Sequence, residues 1–551
     1  MFSQVIKDNF LGLRSNGWQT LALLFTLVLL APIVAIFYVA SGNSEGLWEH
    51  LIDSVIPRYV LNTLGLMLGV AIVSLIFGVS TAWIVVKYDF KFRRVFEWLL
   101  LLPAAIPAYL IAYTYADFLE FSGPIQTGIR WLFGWEKATD YWFPEIRSLP
   151  GACILMGAVL YPYVYVMARV SFLLIPSSFF DVGLLANRNI FIAVALPIAR
   201  PAIAAGLALV LMETVSDFGV VEYFAIETLT LGIFNVWLGM NNITAAAQIA
   251  CLCFVFIILL IAMEVISRAR QKFADTTKKS KSISPTKLSG LKVAGCWIVC
   301  CLPIIIGFFL PVGVLLGFIV KGYSVDLNVE LGAAALNSLL IGISVACLVL
   351  FLSSVMLFTA NYKGDFLMRR LVGLASIGYA FPGTILAIGV VSVFGHLDAA
   401  IAGIFSNFFN LKYSGWFGSG IGLIIVACVV RFQAVGYGAV SRGLNQIPKN
   451  VVEASQLLGA NFFDRSVKIV LPMIRLSILA GGLLVFVDVM KELPMALLLR
   501  PFNFETLATY LYQFAKDELL EEAALPALMI VITGVIPVIF LNYTVNRLTR
   551  T

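Results

Sequence analysis

The feature that most constrains this chain is a series of long apolar runs separated by short polar stretches. They fall near 18–41, 59–86, 95–118, 149–172, 201–219, 244–266, 292–320, 333–360, 371–395, 419–440, 476–499 and 523–546. Each approaches or exceeds the roughly 20 residues that carry a helix across a bilayer. In hydrocarbon every backbone polar group must be satisfied within the protein, so such runs fold as helices, and Gly and Pro are tolerated inside them. The sequence therefore predicts an all-α, polytopic membrane protein with about twelve transmembrane helices. Only 12% of the 551 residues are charged, about half the roughly 25% of a soluble domain, which excludes the soluble classes. Lys7 and Arg14 precede the first run. That run is too long for a signal-peptide apolar region of about 7–15 residues, so it reads as an uncleaved first helix.

Lys and Arg set the orientation. They gather in loops on the side of both termini, at Lys87, Lys91, Arg93 and Arg94, at Arg268 to Lys287, at Lys363, Arg369 and Arg370, and at Arg442 to Arg475. The opposite loops carry only scattered cases such as Arg130, Lys137, Arg147, Lys412 and Lys516. Positive residues stay inside, so both termini are expected in the cytoplasm, and the net charge of +6 needs no nucleic acid as partner. The eight Cys lie in or beside apolar runs without zinc-site spacing and read as packing residues. His50 and His396 are expected in periplasmic loops, far apart in sequence. No metal site is predicted from these residues. The aromatic stretch 129–143 reads as an interfacial anchor.

The chain repeats itself at an offset of 275. Asn62-Thr63 matches Asn337-Ser338, Arg93-Arg94 and Arg369-Arg370 follow those helices one residue out of step, Pro107 matches Pro382, and Leu196-Pro197 matches Leu471-Pro472, each Pro followed three residues later by Arg200 or Arg475. Residues 267–291 between the repeats are polar and rich in Lys, Ser and Thr, a composition that cannot bury a core. The division is a first half at 1–266, a cytoplasmic linker at 267–291 and a second half at 292–551, with six helices per half.

The loop after the tenth run reads NVVEASQLLGANFFDRSVKIVLP. Glu453, Ala454, Ser455, Gly459, Ile469 and Pro472 have the types and spacing of the coupling motif in bacterial ABC importer permeases, which the loop resembles. Small Ala and Ser allow close approach, Gly relaxes the backbone, and Pro marks the boundary before the next span. In that family the loop forms a short helix, a bend and a second helix that docks on the ATPase. The first half departs from the pattern. An ungapped count from Pro197 puts Ser178 opposite Glu453 and Leu184 opposite Gly459, whereas a three-residue deletion offers Asp181, Val182, Gly183 and Asn187. Both registers stay open at this point, and the first contact is expected to be the weaker.

YPYVYVMAR (161–169), ALPIARPAIAAGLALVLMETVSDFGVVEYF (195–224), GYAFPGTILAIGV (378–390) and RFQAVGYGAV (431–440) resemble the fused permeases of ferric iron importers. The likeness implies a bacterial inner-membrane permease that performs no chemistry itself, fed by a periplasmic substrate-binding protein. The chain has no phosphate-binding G-x-x-x-x-G-K-[ST] loop. No cofactor is expected on it, with ATP and Mg on two copies of a separate ATPase subunit. Fused permeases for thiamine and aminophosphonates share the layout, so those cargoes stay open. An ion-gradient-driven secondary transporter is the alternative from another class, against which the coupling motif argues. A membrane-embedded enzyme lacks any catalytic constellation here.

Ionisable groups at membrane depth are costly and default to function. Glu213 and Asp217 lie four residues apart in the fifth run, and Asp488 and Glu492 repeat them at the same offset of 275. They are expected to line a path across the half-to-half interface, with Glu222 and Tyr223 nearby, an oxygen-rich set suited to a hard cation. The competing reading is that these carboxylates brace the structure, with Lys491 neutralising one of them.

Overall fold

The computed structural model describes residues 17–269, 285–322, 328–364, 366–409 and 421–548. Almost all of this is helix, with one short parallel strand pair. Ten described helices are long and apolar enough to cross a membrane, from Gly17–Ala40 to Phe462–Met490. About twelve transmembrane helices were expected, and the runs that do not form one long helix have local causes. The third run breaks at Pro107, where Arg93–Ala105 and Ala108–Phe133 meet at 91°. Ile106 and Pro107 are extended there, as proline requires of itself and its predecessor. The last run forms the Ala524–Leu548 helix, of which the apolar part counted among fully described residues is the shorter Ala524–Ile539.

The repeat governs where helices start and stop. A single turn at Leu102–Ala105 before Pro107 has its partner at Ile377–Ala380 before Pro382, so the ninth expected run is also interrupted and its long helix is Gly383–Phe409. Leu196–Ser216 and Leu471–Met490 open at the same offset, and each is followed by a short helix, Gly219–Tyr223 or Pro494–Leu499. The Asn that opens the repeat is a brace in both copies. Asn62 Nδ2 donates to the Glu227 carbonyl at 3.0 Å, and Asn337 Nδ2 donates to the Glu505 carbonyl at 3.0 Å. Each of these Glu carboxylates is itself paired with an arginine, Arg58 or Arg500.

The described residues pack as two compact units, one within Met1–Ser41 and Ala335–Thr506, the other within Gly42–Ala334 and Leu507–Thr551. In the first unit the Gly17–Ala40 helix lies against Gly383–Phe409. Gly389 makes the approach possible, since a Cβ there would stand 2.1 Å from the Pro32 carbonyl oxygen. Without a hydrophobic drive between helices in lipid, such close backbone contact and buried hydrogen bonds supply the association. In the second unit the Leu149–Leu173 helix is packed most deeply, with Tyr161, Tyr165 and Phe172 fully buried. The Tyr161 hydroxyl donates to the Leu100 carbonyl at 2.9 Å, a bond contributing about 1 kcal/mol. The cysteines are free thiols. His50 and His396 lie on the Leu47–Ser54 and Gly383–Phe409 helices rather than in loops.

The far end of the expected linker is ordered. Tyr88↔Thr286 and Asp89↔Lys287 pair as parallel strands, the Leu288 amide donates to the Asp89 carbonyl at 3.1 Å, and Trp297 Nε1 donates to the Lys91 carbonyl at 3.1 Å. The basic stretch before residue 285 lies outside the described residues. A Gly/Ser insertion after Lys279 is expected to leave membrane accumulation within about twofold of wild type, given the polar composition there. The same insertion between Thr286 and Lys287 is expected to lower it clearly, which fluorescence of a tagged permease would measure.

Candidate functional site: coupling loops and membrane carboxylates

The second coupling element starts after Pro448 and forms the Lys449–Leu457 helix. Gly459 follows with φ +80°, the left-handed conformation that ends helices and favours glycine. Asn461 then caps the next turn, its side-chain oxygen accepting from the Asp464 amide at 2.8 Å. A widened turn at Arg465–Val470 leads into Leu471–Met490. Glu453 and Ala454 face solvent, Ser455 is buried and donates to the Val452 carbonyl at 2.6 Å, and Leu457 and Leu458 are 89% and 88% exposed. Ile469 is half-buried and Pro472 exposed.

The first element has the same build, which resolves its register. Ser177–Leu185 stands to Lys449–Leu457 at an offset of 272, and Asn187, with φ +49°, takes the place of Gly459 at the same offset. Asn189 repeats the Asn461 cap, accepting from the Phe191 amide at 3.0 Å. The offset returns to 275 at Leu196-Pro197. The three-residue deletion therefore lies inside the helical turn just before Leu196, and Asp181 corresponds to Glu453. Both acids are exposed. Asn at the bend explains why the motif was degenerate in sequence: Asn, like Gly, tolerates the left-handed region.

The membrane carboxylates divide into two kinds. Asp217 and Glu492 each stand just before a short helix and cap it. Asp217 Oδ1 accepts from the Val220 amide at 2.9 Å, and Glu492 Oε1 from the Met495 amide at 3.2 Å. Glu492 is also gripped by Arg431, whose Nη1 donates to its two oxygens at 2.9 and 3.1 Å, with both side chains at most 7% exposed. Arg431 is thus a cation bound to Glu492. Glu213 and Asp488 are half-buried on the Leu196–Ser216 and Leu471–Met490 helices. Asp217 and Glu213 belong to one compact unit, Asp488 and Glu492 to the other.

Glu222 and Tyr223 are both engaged. The Tyr512 hydroxyl donates to Glu222 Oε1 at 2.8 Å. Arg147 Nη2 donates to the Tyr223 hydroxyl at 3.4 Å, its guanidinium 4.9 Å from that ring's centre, and Arg147 pairs with Glu518 at 3.0 Å. A further ion pair, Arg169 with Glu97 at 2.9 Å, was not singled out in sequence. Arginines within apolar runs were the signal for both buried pairs, since a membrane cation demands a partner. Among the described residues no group of three or more His, Cys, Asp or Glu side chains is placed to hold a metal ion.

Residues 313–551 match the family described as binding-protein-dependent transport system inner membrane component. Along 96% of its length the chain is similar to the Fe(3+)-transport system permease protein FbpB 2 of Haemophilus influenzae, 24% identical over 546 residues and covering 98% of that protein. The ferric transport system permease protein FbpB of Actinobacillus pleuropneumoniae is 21% identical over 90% of this chain and 73% of its own. The sulfate transport system permease protein CysT of Synechococcus elongatus is 31% identical over 129 residues, 23% of this chain and 46% of its own. Residues 313–551 thus match the inner membrane components of binding-protein-dependent transport systems, and along most of its length the chain is similar to permeases of transport systems.

Proposed function

We propose that this permease carries ferric iron inward across a bacterial inner membrane, with both termini in the cytoplasm. The observation that carries the cargo is coverage: the relatives similar over most of the chain are ferric permeases, whereas the sulfate permeases match 15–38% of it. Two copies of a separate ATPase supply the energy, one on each coupling element, because the chain lacks a nucleotide-cradling loop. Glu453 and Asp181 present the charge, Leu457 and Leu458 the apolar surface, and Gly459 and Asn187 the bend. A periplasmic binding protein delivers the cargo. Of the four membrane carboxylates, Glu213 and Asp488 line the path, while Asp217 and Glu492 hold the short helices beside it.

The test is reconstitution in vesicles with the ATPase and binding protein. Radiolabelled iron is expected to accumulate only with ATP, and neither sulfate nor thiamine to compete. Accumulation of labelled sulfate or thiamine instead would overturn the cargo. Uptake driven by an ion gradient without ATP would overturn the class.

A further inference from the structure

Tyr113 is fully buried, yet its hydroxyl has no hydrogen-bond partner among the described residues. A buried polar group left unmade costs about 1–3 kcal/mol, so an orphan of this kind calls for an explanation. The surroundings supply one. Tyr109 lies one turn earlier on the Ala108–Leu119 helix, its ring centre 5.7 Å from that of Tyr113. The Tyr113 ring meets the Tyr223 ring edge-on with centres 4.5 Å apart, which sets the Ala108–Leu119 helix against the short helix that carries Glu222. Tyr512 already donates to Glu222 at 2.8 Å. Asp217, through the Val220 amide, fixes the short helix on which Glu222 stands.

Three segments of one compact unit carry these oxygens: Ala108–Leu119, Gly219–Tyr223 and Leu507–Lys516. The repeat supplies an internal control. At the offset of 275, Tyr109, Tyr113 and Glu222 become Thr384, Ile388 and Leu497. The other half closes the same helix breaks without this set, so the helix architecture does not need it. What the cluster has instead is a ligand chemistry. Phenol and carboxylate oxygens are hard donors, and the nearby acids favour a cation over an oxyanion. Arg147, whose guanidinium lies over the Tyr223 ring, is taken up by Glu518 and Tyr223.

We propose that Tyr113, Tyr512 and Glu222 form a transit site for a hard trivalent cation, with Asp217 as a positioning residue; this rests on the ferric reading above. Binding exchanges a phenol proton for the metal at each tyrosine. Both protons leave to the water displaced from the cation, Glu222 stays ionised as the third oxygen ligand, and release of the metal reverses the exchange. Redox state is unchanged throughout.

Titrating the nanodisc-embedded permease–ATPase complex with ferric nitrilotriacetate tests this. The wild type is expected to develop the visible absorption of a phenolate-to-iron charge transfer, and gallium(III), which has none, to suppress it by competition. Tyr113→Phe keeps the ring and removes only an unpartnered hydroxyl, so thermal stability should be kept while the band falls away and ATP-dependent iron uptake drops about tenfold. Glu222→Gln should weaken both readouts. Tyr115→Phe, whose hydroxyl instead donates to the Ile306 carbonyl at 3.0 Å, should keep the band. Iron uptake with no band, or a band and uptake unchanged in Tyr113→Phe, would overturn the site and leave the cargo standing. Absence of both uptake and band in the wild type would overturn the site together with the cargo. A band lost in Tyr113→Phe supports the site even where reconstituted uptake fails.

Discussion

Permease carrying Arg431→Met is expected to lose most of its folded material from the membrane, and Arg431→Met with Glu492→Gln to recover it. The two side chains are at most 7% exposed, and the guanidinium reaches both carboxylate oxygens. Removing one member of such a pair leaves an uncompensated buried charge at a cost of about 3–5 kcal/mol, a large part of a domain's stability of about 5–15 kcal/mol. The double variant removes both charges, and Gln keeps an oxygen for the Met495 amide that Glu492 now caps. Monodisperse yield on size exclusion, with thermal melting of what survives, reads the difference. Equal yield for wild type and Arg431→Met would show that the pair contributes little. Neutralising Glu492 alone therefore reports on folding before it reports on transport, and a clean test of a charged path uses Glu213 and Asp488.

Gly459→Val is expected to weaken co-purification of the ATPase about tenfold, equivalent to about 1.4 kcal/mol of docking free energy. A Cβ at this position would meet nothing within 4 Å, so steric clash is not the cause. The cost lies in φ +80°, where a β-branched residue is strained by about 1–2 kcal/mol. Relief of that strain lets the Lys449–Leu457 helix lose its fixed end. Gly459→Asn should restore much of the binding, as Asn187 serves at the first element with φ +49°. Charge reversal at Glu453 and at Asp181 should weaken binding by comparable amounts, because both stand exposed on helices of the same build. Undiminished pull-down by all of these variants would refute the docking role.

Much of the architecture was legible because hydrophobic length and the 275-residue offset are properties of the chain itself. Pro107 and Pro382, read only as repeat markers, turned out to be the places where two spans break. The Gly459 bend could be read from residue type, whereas Asn187 was reached only through one of two open registers, since Asn is common in loops of every conformation. The carboxylates were found from their depth, but their roles depend on partners far along the chain. Arg431 is 61 residues from Glu492 and Tyr512 is 290 from Glu222, separations that no periodicity encodes. Only geometry distinguishes a carboxylate that caps a helix from one that faces a passage.

The packing of the Gly17–Ala40 helix bears on how the polypeptide matures. Its partners include Phe351, Lys363 and the helices from residue 366 onward, so more than 300 further residues are synthesised before that docking surface exists. At about 5–20 residues per second of translation, the helix waits for tens of seconds in the bilayer. During that interval lipid, or a chaperoning insertase, must shelter the backbone groove around Pro32 that Gly389 later fills. Biogenesis of this permease is accordingly a late, post-insertional closure, and a ribosome stalled between the repeats would leave an intermediate whose opening helix lacks these later contacts.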